Sequence, residues 1–183
     1  LFISSLDGKS VTKLSHEELP VRSFAWSPDG SKIAFETGIG DEDYVSVANV
    51  AKKKVRRVLS KKNAEIKLNM GLGAAPSPWS PDGSRLLFVS NEEGQFDIGE
   101  LHLGSRKRRW LARSGNEKAS PQWAPDGKRL SYLEVAEPSV VLKVLQGRNT
   151  TVVSPNDGYT RSPMWLPEGS GIAMVNGSSL RPE

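Results

Sequence analysis

Few residues in this chain are equipped for acid, base or nucleophilic chemistry. Its 183 residues include two histidines, His16 and His102, and no cysteine. The lack of cysteine excludes disulfides, cysteine zinc sites and a thiol nucleophile. Serine hydrolysis would need a nucleophile on a strained Gly-x-Ser-x-Gly elbow, with a histidine and an acid to activate it. No such elbow is present. His16 sits in the polar run Ser15-His16-Glu17-Glu18 and His102 between Leu101 and Leu103. They read as a loop histidine and a sheet-surface histidine rather than as bases, and two such distant residues do not make a zinc site. Gly38-Ile39-Gly40 and Gly71-Leu72-Gly73 stop short of a dinucleotide fingerprint and open no helix. The sequence therefore assigns no catalytic, cofactor-binding or metal-ligating residue and calls for no cofactor.

The carboxylates and aromatics also have plain readings. Asp41-Glu42-Asp43 could meet a cation or a basic partner, but cation sites need convergent ligands at set spacing, and the run reads as a solvated hairpin tip. Asp29, Asp82 and Asp126 each stand in a Pro-Asp-Gly turn, where Asp bonds its own backbone. Trp26, Trp79, Trp123 and Trp165 could stack sugars or bases. Their recurrence at one fixed point of a repeat makes them packing residues instead.

Net charge is +4, from 25 Lys and Arg against 21 Asp and Glu. Most of the excess sits in two runs, Lys52 to Lys62 and Arg106 to Arg109. Both fall on strands expected at sheet edges, where cations discourage edge-to-edge pairing, so nucleic acid is not an expected partner. No apolar run approaches the roughly 18 residues of a membrane span. The chain opens at Leu1 without a secretory signal pattern and is expected to be a piece of a longer protein. Nothing in it chooses between the bacterial periplasm and the cytoplasm. Asn149-Thr150-Thr151 and Asn176-Gly177-Ser178 match a glycosylation acceptor pattern that matters only in a eukaryotic secretory protein.

The elements that carry these residues are set by a repeat. Trp26-Ser27-Pro28-Asp29-Gly30 recurs as Trp79-Ser80-Pro81-Asp82-Gly83, as Trp123-Ala124-Pro125-Asp126-Gly127, and as Trp165-Leu166-Pro167-Glu168-Gly169, at intervals of 53, 44 and 42 residues. Pro presets the first turn position and Gly accepts the left-handed one, so each Pro-Asp-Gly is a β-hairpin tip. Beyond each tip an apolar pair recurs with period two: Ile33/Phe35, Leu86/Phe88, Leu130/Tyr132 and Ile172/Met174.

Third strands are expected at Tyr44–Ala48, Phe96–Leu101 and Val140–Leu145, and fourth strands at Val55–Leu59, Lys107–Leu111 and Thr150–Val153. Four short antiparallel strands in about 42–44 residues is the period of a β-propeller blade. Ala64 to Leu72 reads with Gly71–Pro78 as an inserted loop that explains the longest interval. The fold is expected to be all-β, an arc of four-stranded blades cut from a six- to eight-bladed propeller. It comprises the end of a blade (1–15), three full blades (22–60, 76–113 and 119–154) and the start of another (161–183).

The segments from Trp26 to Phe35 and from Trp79 to Phe88 resemble the TolB-like, WD-type propeller repeat, and the resemblance spans the chain. It occurs in TolB, a periplasmic component of a cell-envelope system, and in the propellers of prolyl oligopeptidase family serine peptidases. The unequal repeat lengths and the stretch from Met174 to Glu183 resemble the peptidase group more. The resemblance then implies a non-catalytic propeller that gates peptide substrates for a hydrolase domain outside this chain. The alternatives are a TolB-like propeller of the Tol-Pal system that binds proteins at one face, or an orphan ligand-binding propeller.

Overall fold

The structure is a computed structural model that describes residues 1–15, 19–68, 77–155 and 158–177. Every regular element among these residues is a β-strand. β1 (Phe2–Ser4) and β2 (Val11–Lys13) form a hairpin. β3 (Val21–Trp26), β4 (Lys32–Ile39), β5 (Glu42–Asn49) and β6 (Lys54–Lys62) make the first four-stranded antiparallel sheet, in chain order. The second contains β7 (Ile66–Lys67), β8 (Arg85–Ser90), β9 (Asp97–His102) and β10 (Arg108–Ala112). The third contains β11 (Lys118–Trp123), β12 (Arg129–Ala136), β13 (Ser139–Gln146) and β14 (Asn149–Val152). β15 (Tyr159–Trp165) and β16 (Ile172–Gly177) close the series as a hairpin.

The turns after the tryptophans follow from their sequence. Gly30 adopts φ +67° and its N–H donates to Ser27 O at 2.9 Å. Asp29 Oδ1 accepts from the Ser27 hydroxyl at 2.6 Å and from Ser31 N–H at 3.1 Å. Ser80 and Asp82 repeat this arrangement at 2.5 Å, with Ser84 N–H at 3.1 Å. In the third turn Ala124 has no hydroxyl, and Asp126 instead takes Lys128 N–H and Arg129 Nε, each at 2.8 Å.

Period-two alternation on the second strands builds the core between sheets. Ile33 and Phe35 pack with Leu14 and Ile3 of the preceding hairpin. Ala34, Val45 and Leu59 face Leu86, Phe88 and Trp79 of the second sheet. Leu87 and Ile98 face Leu130, Tyr132 and Trp123 of the third. Leu133 and Leu142 face Ile172 and Met174 of the last hairpin. Each sheet is thus a blade with its neighbours on either side.

The inserted-loop reading needs correction over Ala64–Leu68. Ile66 pairs with Ser90 and Lys67 with Val89. Trp79 pairs with Leu86, and Leu87 N–H donates to Pro78 O at 2.8 Å. In the third blade one continuous strand does all of this, through Lys118–Glu134, Ala119–Leu133 and Trp123–Leu130. The segments around Ile66 and Trp79 are therefore two halves of one inner strand. The interruption falls where β11 and β15 carry a bulge with Ser120 and Ser162 at φ 51°. Ile66 and Leu68 are buried because they belong to the blade. Residues 69–76 lie outside the described residues.

Candidate functional site

The repeat residues meet at the junctions between blades. The Trp79 indole N–H donates to Ala25 O at 3.0 Å, and Trp165 to Gln122 O at 3.4 Å. The Arg85 guanidinium lies 4.2 Å from the Trp123 ring centroid and donates to Gly127 O at 2.8 Å. Arg129 does the same to Trp165, at 5.0 Å, and to Gly169 O, at 2.8 Å. Trp79, Trp123 and Trp165 are buried, whereas Trp26 is 45% exposed. Trp26 therefore departs from the packing role expected of all four.

Asp43 departs from the solvated hairpin tip. It is buried, receives Arg22 Nη1 at 2.7 Å, and accepts Ile66 N–H at 3.2 Å. Glu36 beside it accepts Leu68 N–H. These carboxylates of the first blade hold the start of the divided strand of the second. Asp41 stays exposed on the turn, and its carbonyl accepts Asn63 N–H at 2.8 Å. His102 is exposed at the end of β9, where its Nδ1 accepts Ser105 N–H at 3.3 Å, which is a turn contact. His16 lies outside the described residues. No group of three or more His, Asp or Glu able to hold a metal exists among the described residues.

The second and third blades share a buried ion pair. Lys118 Nζ, fully buried, lies 2.8 Å from Asp97 Oδ1, and also donates to Ser114 O and Asn116 O. All three ammonium donors are used, so Lys118 anchors the crossover into β11. Nothing in the sequence singled it out, because its burial depends on how two blades meet.

Outside that pair the two blades diverge and leave a groove of about 500 Å³ between β10 and the β13–β14 face. Arg109 and Arg113 stand on one wall, Lys143, Arg148 and Thr150 on the other, with Tyr132 and Leu145 beneath. Glu134 is the one acid lining it. Burial pushes its carboxyl up, but hydrogen bonds from Lys143, at 2.6 Å, and from Asn116 and Ser114 outweigh this and hold it below its ordinary value. Tyr132 is pushed up by burial and by the Glu134 charge.

The equivalent space between the first and second blades is bridged. There Arg56 Nη2 reaches Leu103 O at 3.2 Å. Arg109 holds the matching place on β10 but turns to Glu100 of its own blade. A cationic, ligand-accessible groove results.

Comparison with known proteins agrees with this architecture. The family model described as TolB beta propeller domain matches residues 1–181. The Tol-Pal system protein TolB of Ruthia magnifica subsp. Calyptogena magnifica is 30% identical over 109 residues, covering 58% of this chain and 23% of that protein. The chain thus spans less than a quarter of that relative's length. The crystal structure of TolB from Acinetobacter baumannii superposes with a TM-score of 0.72 at 21% identity, covering 98% of this chain and 43% of that one. A puromycin hydrolase superposes with a TM-score of 0.73 at 16% identity, covering 94% and 28%. Likeness at that identity is likeness of fold. From the repeated turns, the blade-to-blade clasps and the family match over nearly its whole length, the chain belongs to the TolB β-propeller family.

Proposed function

We propose that this chain is a non-catalytic, protein-binding portion of a TolB-type propeller in the Tol-Pal system. One observation carries the reading. Among the described residues, charged groups are engaged in structural contacts, between blades in Lys118–Asp97, within a blade in Arg22–Asp43 and within the hairpin tips in the turn aspartates, and what remains open is a charged groove. The 30% identity with a Tol-Pal TolB supports that setting. A second reading is favoured by the unequal repeat intervals and makes the chain the substrate-gating propeller of a prolyl oligopeptidase family peptidase.

Two assays on the full-length protein separate them. Retention on immobilised Pal, without labelling by a fluorophosphonate serine-hydrolase probe, is the result expected of the first reading. Labelling by the probe, with hydrolysis of a chromogenic peptide amide, would replace it with the second.

A further inference from the structure

We propose that β14 and the groove beside it dock an extended acidic segment of a partner protein, which adds to the third blade as a fifth strand. The proposal rests on the geometry of this blade and holds for either reading above.

The first observation is an unguarded edge. Fourth strands are the outer edges of blades, and cations there discourage pairing with other chains. β6 carries Lys54, Arg56, Arg57, Lys61 and Lys62, and β10 carries Arg108 and Arg109. β14 is Asn149-Thr150-Thr151-Val152, uncharged, rich in β-branched residues and exposed throughout. It pairs with β13 alone.

The second observation is the direction of its free groups. Val153 N–H donates inward to Leu142 O at 2.9 Å, and Leu142 N–H donates to the Ser154 hydroxyl at 2.8 Å. An antiparallel ladder alternates, so Asn149 and Thr151 also bond inward. The N–H and C=O groups of Thr150 and Val152 then point outward, and two unpaired positions are offered to an added strand. Strand addition of this kind draws affinity from main-chain bonds and specificity from alternate side chains.

Charge selects the occupant. Thr150 lines the groove, and Val152 shares its face. Arg109, Arg113, Lys143 and Arg148 surround that face, and the first three are already paired, with Glu100, with Glu93 and Asp97, and with Glu134. Glu134 is already engaged by Lys143. Arg148 is exposed and forms no ion pair among the described residues. An incoming strand with Glu or Asp at every second position places a carboxylate at Arg148, the cation left open on this rim. A second copy of this chain would bring Arg148 against like charge, which argues against self-pairing.

The test uses the full-length protein and a fluorescein-labelled octapeptide of alternating valine and glutamate, with an otherwise identical valine–lysine peptide as control. Fluorescence anisotropy at low salt should show binding of the first and at least about tenfold weaker binding of the second, with affinity falling as salt rises. Val152→Pro removes an outward N–H and no bond to β13, so the blade should melt unchanged while affinity falls at least about tenfold. Arg148→Glu, at an exposed and unpaired position, should weaken binding similarly and serves if Val152→Pro misfolds. Equal affinity for the two peptides, no binding of the acidic one, or affinity untouched by either variant would overturn the proposal. So would self-association in sedimentation velocity that Val152→Pro abolishes, since the occupant would then be a second copy.

Discussion

The indole N–H of Trp79 donates to the carbonyl of Ala25 across the junction of the first and second blades, at 3.0 Å. Trp165 makes the same contact with Gln122, and Ala25 and Gln122 each immediately precede the tryptophan of their own blade. Trp123 is the exception: its buried Nε1 has no hydrogen-bond partner.

The exception supplies a control. Trp79→Phe removes ring area and a hydrogen bond, and Trp123→Phe removes ring area, an unpartnered N–H and part of the contact with the Arg85 guanidinium. We predict that Trp79→Phe destabilises more, by about 1 kcal/mol. Urea unfolding of the two variants measures the difference, and equal midpoints would show that the bond contributes no more than the weakened Arg85 contact.

Gly99 stands opposite Phe88 in the β8–β9 register. A Cβ on Gly99 would lie 2.2 Å from Phe88 Cζ. The ring also meets Trp110, at 5.6 Å between centroids, so it has little room to retreat. Gly99→Ala should destabilise by about 1–3 kcal/mol through overpacking. Adding Phe88→Leu should recover part of that loss in thermal melts. If the double variant melts lower than Gly99→Ala alone, crowding of this ring is not the cause.

Asp97→Asn would leave the buried Lys118 ammonium without its counter-charge. The expected loss is about 3–5 kcal/mol. Replacing both, as Lys118→Met with Asp97→Leu, should recover a large share, because the paired charges are themselves costly to desolvate. Denaturant titration of the single and double variants checks this. A double variant as unstable as the single one would contradict it.

Acid should loosen the hairpin tips. The Ser80 hydroxyl and Ser84 N–H hold the Asp82 carboxyl down to about 2, against an ordinary 3.8. The Ser27 and Ser31 hydroxyls likewise hold Asp29 well below its ordinary value. The folded-state pKa lies below the unfolded one, so these turns contribute fully above about pH 4. Their contribution is lost as pH falls toward about 2. The urea midpoint should hold from neutral pH to about pH 4 and then decline. The variant Asp29→Asn with Asp82→Asn should decline less steeply. Parallel curves would show that the turn aspartates are not responsible.

The blade architecture was legible because it repeats. Four hairpin tips and the alternation after them identify first and second strands, and Ile33, Phe35, Leu86 and Phe88 are buried where that alternation puts them. β7 was illegible because two residues carry no period, and an interruption separates them from the tryptophan that marks their strand. The burial of Asp43 could not be read from an acidic run, since its partners Arg22 and Ile66 come from other strands. The groove depends on a single choice of rotamer direction. Arg56 crosses to the next blade, and Arg109 folds back on Glu100. Both are arginines in basic fourth strands, and only the three-dimensional neighbourhood of Glu100 tells them apart.

The Arg85–Gly127 and Arg129–Gly169 clasps point the same way along the chain, each blade giving a side chain to the next and offering a carbonyl to the one before. Such a head-to-tail joint is indifferent to how many units are strung together. A gene that duplicates or drops one unit inherits a donor and an acceptor already matched at the new seam. Lys32 stands in the first blade where Arg85 and Arg129 stand in the next two, so a change of copy number there would splice a weaker joint into the series.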